Sequence, residues 1–308
     1  MTTSQKNNPP RRSPRALCHA ALALLAAMWV TLAPSKANAQ EADTAACCVL
    51  RPVASVFMAD FGHASLLDTY LTPIRYHGVN TRLAYEGLRA MKFSPDRWIM
   101  QGVTAVEYAN VQNPAGNHTM HSLMIDAKWG MMHRWNDVFT PRLTLHLGGS
   151  PQLRGGVIYN AYNSNNPVSA KIRLSLNLSA MASYHLNIGR LPITLSYQAT
   201  LPTIGAFFSL DYGEAFYELY VGNTQGIVNV GWWGNRFDME NLLTADLHLG
   251  NSVLRLGYRN LIETSWVHNL NTQIFTHGFV IGISGEWLQL GARQKKLSPA
   301  VRIVSALY

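Results

Sequence analysis

Three cysteines, a charged fraction of 14 % and, beyond residue 39, no apolar run long enough for a membrane helix are what this chain of 308 residues lacks. A bilayer-spanning helix needs about 18–20 consecutive apolar residues, so residues 40–308 contain no helical span. Too few cysteines rule out a disulfide framework: Cys18 sits in the first forty residues, and the other two, Cys47 and Cys48, are neighbours in sequence. Glu41 and Asp43 separate them from the apolar leader, which argues against lipid attachment there. Charge is scarce while 48 % of the residues are hydrophobic. Without a membrane helix, that much apolar surface is buried either inside a soluble all-β domain or against lipid on the outside of a barrel.

What is present begins with a secretory leader. Arg11, Arg12 and Arg15 form a basic start, 16–33 is apolar, and Ala37-Asn38-Ala39 is a cleavage box, so residues 1–39 read as a signal peptide removed after Ala39. Lys6, Arg11, Arg12, Arg15 and Lys36 leave with it and no acid does. The 25 basic and 17 acidic side chains become 20 and 17, and the case for nucleic-acid binding goes with the lost charge. Residues 40–52 read as a periplasmic tail.

From Val168 to Asn187 every second residue is apolar: Ile172, Leu174, Leu176 and Leu178 alternate with Lys171, Arg173, Ser175, Asn177 and Ser179. A period of two is a β-strand, and about twenty residues in phase exceed the usual five or six. At about 3.3 Å per residue such a strand crosses a bilayer even when tilted by about 45°. Similar alternation predicts short strand 53–60, then 79–91, 98–111, 118–134, 141–148, 191–203, 241–249, 253–261 and 275–283. The expected fold is therefore an all-β, antiparallel transmembrane barrel over 53–284, of about ten strands, with twelve possible if 285–308 adds two. Short periplasmic turns near Lys92, Asn136, Ile188 and Gly250 are expected at one end and longer loops at the other, the longest at 207–238. Tryptophans near strand ends, among them Trp98, Trp135 and Trp266, suit interfacial girdles.

At Leu67-Asp68-Thr69-Tyr70-Leu71-Thr72-Pro73, and at Tyr212-Gly213-Glu214 with Tyr217-Glu218-Leu219, the chain resembles an uncharacterised family of Bacteroidetes outer-membrane barrels, for which L-D-T-Y-L-[ST]-P is the more specific motif. The resemblance covers about 53–283. It implies the barrel and the outer membrane, and it carries no activity across.

Candidate chemistry is thin. His118, Ser122 and Asp126 share a strand face, but four residues of strand span about 13 Å, far beyond the contact a catalytic triad needs. His118 and His121 face opposite sides of a strand, so neither enzyme nor metal chemistry is indicated. A rim site from Asp60, Asp68, Asp211, Glu214 and His268 has no spacing to recommend it. The inward faces do carry a mixed ionic set: Arg82, Glu86, Glu107, Asp126, Lys128, Arg142, Lys171, Arg173, Asp246, Arg255 and Arg259. Such a set fills a narrow barrel as a plug, or lines an anion-favouring pore through its basic excess of seven against four. The external loop offers Tyr212, Tyr217, Trp232 and Trp233, suited to extracellular glycan or protein contact, or to packing the loop down as a lid. The expected protein is a monomer that meets outer-membrane lipid and the barrel assembly machinery, uses no cofactor and no metal, and serves a structural or surface role. A narrow pore is the alternative and a membrane hydrolase the third reading.

Overall fold

The computed structural model describes residues 48–164, 166–211, 213–214, 216–222, 226–250, 252–287 and 301–306. The leader, Cys47, Tyr212 and the segment 288–300 lie outside the described residues.

Alternating side chains give strands, and long alternation gives long ones. In chain order they are β1 (Cys48–Leu50), β2 (Val53–Asp68), β3 (Thr72–Ala90), β4 (Trp98–Gln112), β5 (Thr119–Trp135), β6 (Leu143–Asn160), β7 (Val168–Ile188), β8 (Leu191–Phe208), β9 (Val228–Trp232), β10 (Arg236–Leu249), β11 (Ser252–Val267), β12 (Leu270–Trp287) and β13 (Val301–Ile303). One short helix, α1, covers Phe216–Val221. Strands β2 to β8 and β10 to β12 pair with their neighbours, all antiparallel, and β10 also pairs with β8, which closes a ten-stranded barrel. Closure pairs the strands around the wall, with one gap where Arg236–Met239 of β10 pair with β11 but not with β8. Residues 217–222 belong to a separate unit, within which the rings of Tyr217 and Tyr220 lie 6.4 Å apart.

The two faces of the wall divide as the alternation demands. Outside are Phe57, Leu83, Ile125, Ile172, Leu174, Leu176, Leu243, Phe279 and Ile281, large apolar groups with no protein cover; Phe279 is 75 % exposed. Inside are buried charges. The fold class is thus the expected transmembrane barrel, and its strand number is ten.

Several strands run further than the alternation suggested. Strand β2 continues through His63 to Asp68 where a connection 63–77 was expected, and β6 runs on to Asn160 past the expected end at 148. For β6 the glycines and proline of 149–156 mask an alternation that keeps its phase; for β2 the reason is a change of phase. Above Gly62 the inward residues of β2 are apolar, Ala64 and Leu66, and the outward ones are His63 and Ser65. Oil and polarity swap sides while the strand continues.

Those extensions also correct the loop pattern. At the end that carries β1 and β13, called the terminal end, the connections are 91–97, 136–142, 189–190 and 250–251; at the opposite loop end they are 69–71, 113–118, 161–167, 209–235 and 268–269. Only 209–235 is long, and both 69–71 and 268–269 are as tight as the turns at the terminal end. His268 and Asn269 both take positive φ, 51° and 58°, the geometry of a two-residue hairpin turn whose twist matches the flanking strands. Gly189 and Gly250, at φ 64° and 70°, mark the two tight turns expected from sequence.

Candidate functional site

The interior is stacked in three layers. At the terminal end Ala54, Leu88, Ile99 and Met132 pack with Ala306 from beyond β13, and Val56, Met58, Ala84, Ala105 and Val280 continue that apolar layer. Arg134 donates to the carbonyls of Pro95, Asp96 and Ser305, and β1 pairs in parallel with β13, so segments 48–50 and 301–306 lie at this mouth. At the loop end Leu66, Leu71, Tyr76, Val111, Met120, Met124, Ile158 and Ile274 form a second apolar layer.

Between them lies an ionic core whose pairs span the lumen. Arg259 on β11 reaches Glu240 on β10 at 2.7 Å and Glu107 on β4 at 3.4 Å; Arg154 on β6 reaches Glu107 at 2.8 Å, Glu263 on β11 at 3.1 Å and Asp126 at 3.5 Å. Arg255 is bidentate to Asp246 and meets Glu86 at 2.6 Å. Arg82 holds Asp60 at 3.1 Å, Lys128 holds Glu240 at 3.4 Å, and Lys171 on β7 reaches Asp68 on β2 at 2.8 Å. Arg173 and Arg236 share Asp238. Amides fill the gaps: Gln101 bonds Glu86 and Gln198, and Gln152 donates to Asp126 at 2.6 Å. Each charge has the partner that burial requires.

Ten of the eleven interior residues expected from sequence are in this core. Arg142 is not; it stands exposed in 136–142, before β6 begins, and its carbonyl accepts from the His185 amide. The core also contains residues the sequence reading did not assign to it. Asp60 and Asp68 had been set aside as rim acids; Arg154 fell in a stretch broken by Gly149, Pro151, Gly155 and Gly156; Arg236, Asp238, Glu240 and Glu263 lay beyond expected strand ends. With them the balance changes. Among the described residues the core's ion pairs use eight cations (Arg82, Lys128, Arg154, Lys171, Arg173, Arg236, Arg255, Arg259) and nine anions (Asp60, Asp68, Glu86, Glu107, Asp126, Asp238, Glu240, Asp246, Glu263), and the basic excess behind the anion-pore reading disappears.

Over the loop-end layer lies the heptad 67–73. Asp68 is fully buried, and it caps its own turn by accepting from the Tyr70 amide at 3.3 Å. Tyr70 donates its hydroxyl to the Glu214 carbonyl at 3.0 Å, with its ring edge-on to Phe216, while Asn163 donates to the Leu71 carbonyl at 3.0 Å. Three connections, 69–71, 161–167 and the start of 209–235, are thereby tied together as a cover. Trp232 and Trp233 are exposed, as is Tyr217. The triad candidates scatter: Ser122 is buried, Asp126 is held by Arg154, and His118 stacks on Tyr162 at 4.0 Å.

A closed ten-stranded barrel with a lipid-type exterior and a filled interior is the class these features define. The chain belongs to the family described as "Protein of unknown function (DUF3316)", which matches residues 20–294. No curated protein matches it. Among solved structures it is similar to the transport unit of the autotransporter AIDA-I from Escherichia coli (10 % identity, 86 % of this chain and 97 % of that one, TM-score 0.46). It is also similar to the outer membrane protease OmpT from Escherichia coli (6 %, 77 % and 97 %, 0.37) and to the COG4313 outer membrane channel from Pseudomonas putida F1 (10 %, 81 % and 100 %, 0.34). At these identities the likeness concerns the fold alone.

Proposed function

We propose that this chain is a monomeric outer-membrane barrel that stays closed to solutes and acts through its loop-end surface, in a structural or surface-interaction role. The observation that carries the reading is the lumen-spanning core: Arg154 and Arg259 tie β4, β6, β10 and β11 together through the space a pore would need. Apolar layers above and below it narrow the lumen towards both ends. The apolar exterior supports a lipid environment, since large exposed groups such as Phe279 and Leu174 would be a severe aggregation liability in water. In this reading the leader 1–39 directs export, the terminal end faces the periplasm, the barrel assembly machinery inserts the chain, and the exposed loop aromatics meet an extracellular glycan or protein. The Bacteroidetes-type heptad supports the same placement, because its residues build the loop-end cover.

Single-channel recording in planar bilayers tests the proposal. The purified barrel is expected to give no conductance steps, and Lys171→Met with Arg173→Met is expected to stay equally silent. Regular steps with anion selectivity that those changes abolish would replace the closed barrel by the narrow pore.

A further inference from the structure

The barrel wall has one place where its strands part. Trp232 of β9 stands opposite Ile204 of β8, and the next pair below, Glu240 with Thr200, belongs to β10. On the β8 side only Leu201, Pro202 and Thr203 fill this step; on the other side the chain uses 233–239. The surplus is taken up by a sideways jog: after Trp232 the chain turns, the Asn235 carbonyl accepts from the Trp266 amide, and Arg236–Met239 pair with β11 alone. β8 is itself irregular here. Its register against β7 shifts between Leu176 and Asn177, Pro202 has no amide hydrogen to offer, and Thr203 turns its hydroxyl to the Leu176 carbonyl at 3.0 Å. The result is a window in the wall, bounded by 201–203, 236–239 and the end of β9.

Behind the window is charge. A shallow hollow open to solvent lies on the window, walled by Pro202, Trp232, Arg236, Asp238 and Arg173. A second small hollow lies on the lumen side, and Arg173, Arg236 and Phe207 line both. The Arg236 guanidinium lies over the Phe207 ring, 5.2 Å from its centroid. Together the two linings present Arg154, Lys171, Arg173 and Arg236 against Asp238 and Glu263. The other counterions, Asp68, Glu107 and Asp126, line neither hollow. The Nε of Arg173 is buried and has no hydrogen-bond partner among the described residues. Outside the window stand Trp232 and Trp233, both exposed, and the Trp233 indole donates to the Pro202 carbonyl at 2.7 Å, lying across the opening. Indoles of this kind favour the boundary between acyl chains and water.

We infer that this window takes a lipid-borne amphiphile from the side, its acyl chain left in the membrane beside Trp232 and Trp233 and its anionic head, a carboxylate or phosphate, drawn in to Arg236 and Arg173. The inference rests on the membrane placement proposed above and is independent of whether the lumen conducts. An aqueous anion has no use for an opening in the lipid-facing wall, whereas a membrane amphiphile reaches it without leaving the bilayer. Arg236 is the natural first contact. It is the less enclosed of the two arginines, and Arg173 keeps Asp238 paired when Arg236 moves.

Native mass spectrometry of the whole barrel, loaded with a long-chain fatty acid or with the alcohol of equal chain length, tests this. The acid is expected to be retained at one per barrel and the alcohol about tenfold more weakly, the difference one charge-assisted contact makes. Arg236→Met is expected to remove that preference, Arg236→Lys to keep most of it, and Trp233→Ala to speed loading while leaving the acid-over-alcohol ratio in place. Equal retention of acid and alcohol by the wild-type barrel would overturn the proposal without recourse to any variant. So would displacement of the acid by acetate or inorganic phosphate at matched concentration, which would mean a free-anion site. Failure of the membrane placement shows separately, as a barrel that stays monodisperse without detergent.

Discussion

Removing the Arg154 guanidinium is expected to cost more than any single exposed contact in the molecule, and the structure says how much. Arg154 is buried against three carboxylates, and Arg154→Met leaves each in a different position. Glu107 keeps Arg259 at 3.4 Å and the Asn80 amide at 3.0 Å; Glu263 keeps Arg173 at 3.1 Å. Among the described residues Asp126 keeps only the Gln152 amide, so one buried carboxylate loses its ionic partner. A buried charge left without its partner costs about 3–5 kcal/mol. Urea unfolding of the barrel in lipid vesicles, followed by tryptophan fluorescence and extrapolated linearly, should show a loss of that size. Adding Asp126→Asn removes the stranded charge and retains the bond from Gln152, and most of the loss should return. The contrast is Arg302→Ala: Arg302 meets Asp96 at 2.7 Å, but the two side chains are 60 % and 47 % exposed, and the expected cost is about 0–1 kcal/mol. The reasoning fails if Arg154→Met stays within about 1 kcal/mol of wild type, or if neutralising Asp126 gives nothing back.

The outer surface offers a second test. Leu178 lies midway along β7 and faces outward, so Leu178→Arg should destabilise the barrel in vesicles by about 2–4 kcal/mol, whereas an unchanged midpoint would mean that protein or water covers this face. Tyr70→Phe removes the hydroxyl that holds the Glu214 carbonyl; limited proteolysis should then cut 209–216 sooner while global stability falls by no more than about 0.5–1.5 kcal/mol, and an unaltered cleavage pattern would exclude the tie between the heptad and that segment. Gly62 sits where β2 meets β12 so closely that a Cβ would lie 1.9 Å from the His277 carbonyl oxygen; Gly62→Val should therefore abolish the heat-modifiable mobility of the folded barrel on gels, and a normally folded variant would contradict the wall packing.

How much of this was legible in the sequence depended on where along a strand one looked. In the lipid belt, outward residues must be apolar and inward residues meet the ionic core, so alternation carries a constant phase; Ile172 to Leu178 against Arg173 to Ser179 show it without a break. Beyond the belt both conditions reverse. The wall now faces polar surroundings, where His63, Ser65 and His77 stand outward, and the lumen is closed by Leu66, Tyr76 and Met120. A pattern search that holds one phase ends the strand at this boundary, which is why β2 and β11 were cut short and Asp68 and Glu263 were separated from the core they complete, whereas β6 keeps its phase through Arg154 and was masked by the glycines and proline of 149–156. The parted seam was hidden for a different reason. Residues 191–203 read as one strand straight through Pro202, and 207–238 as loop, because the detachment of β10 from β8 is a matter of register between strands far apart in sequence. Local periodicity records which way a side chain faces; it does not record which strand is missing a partner.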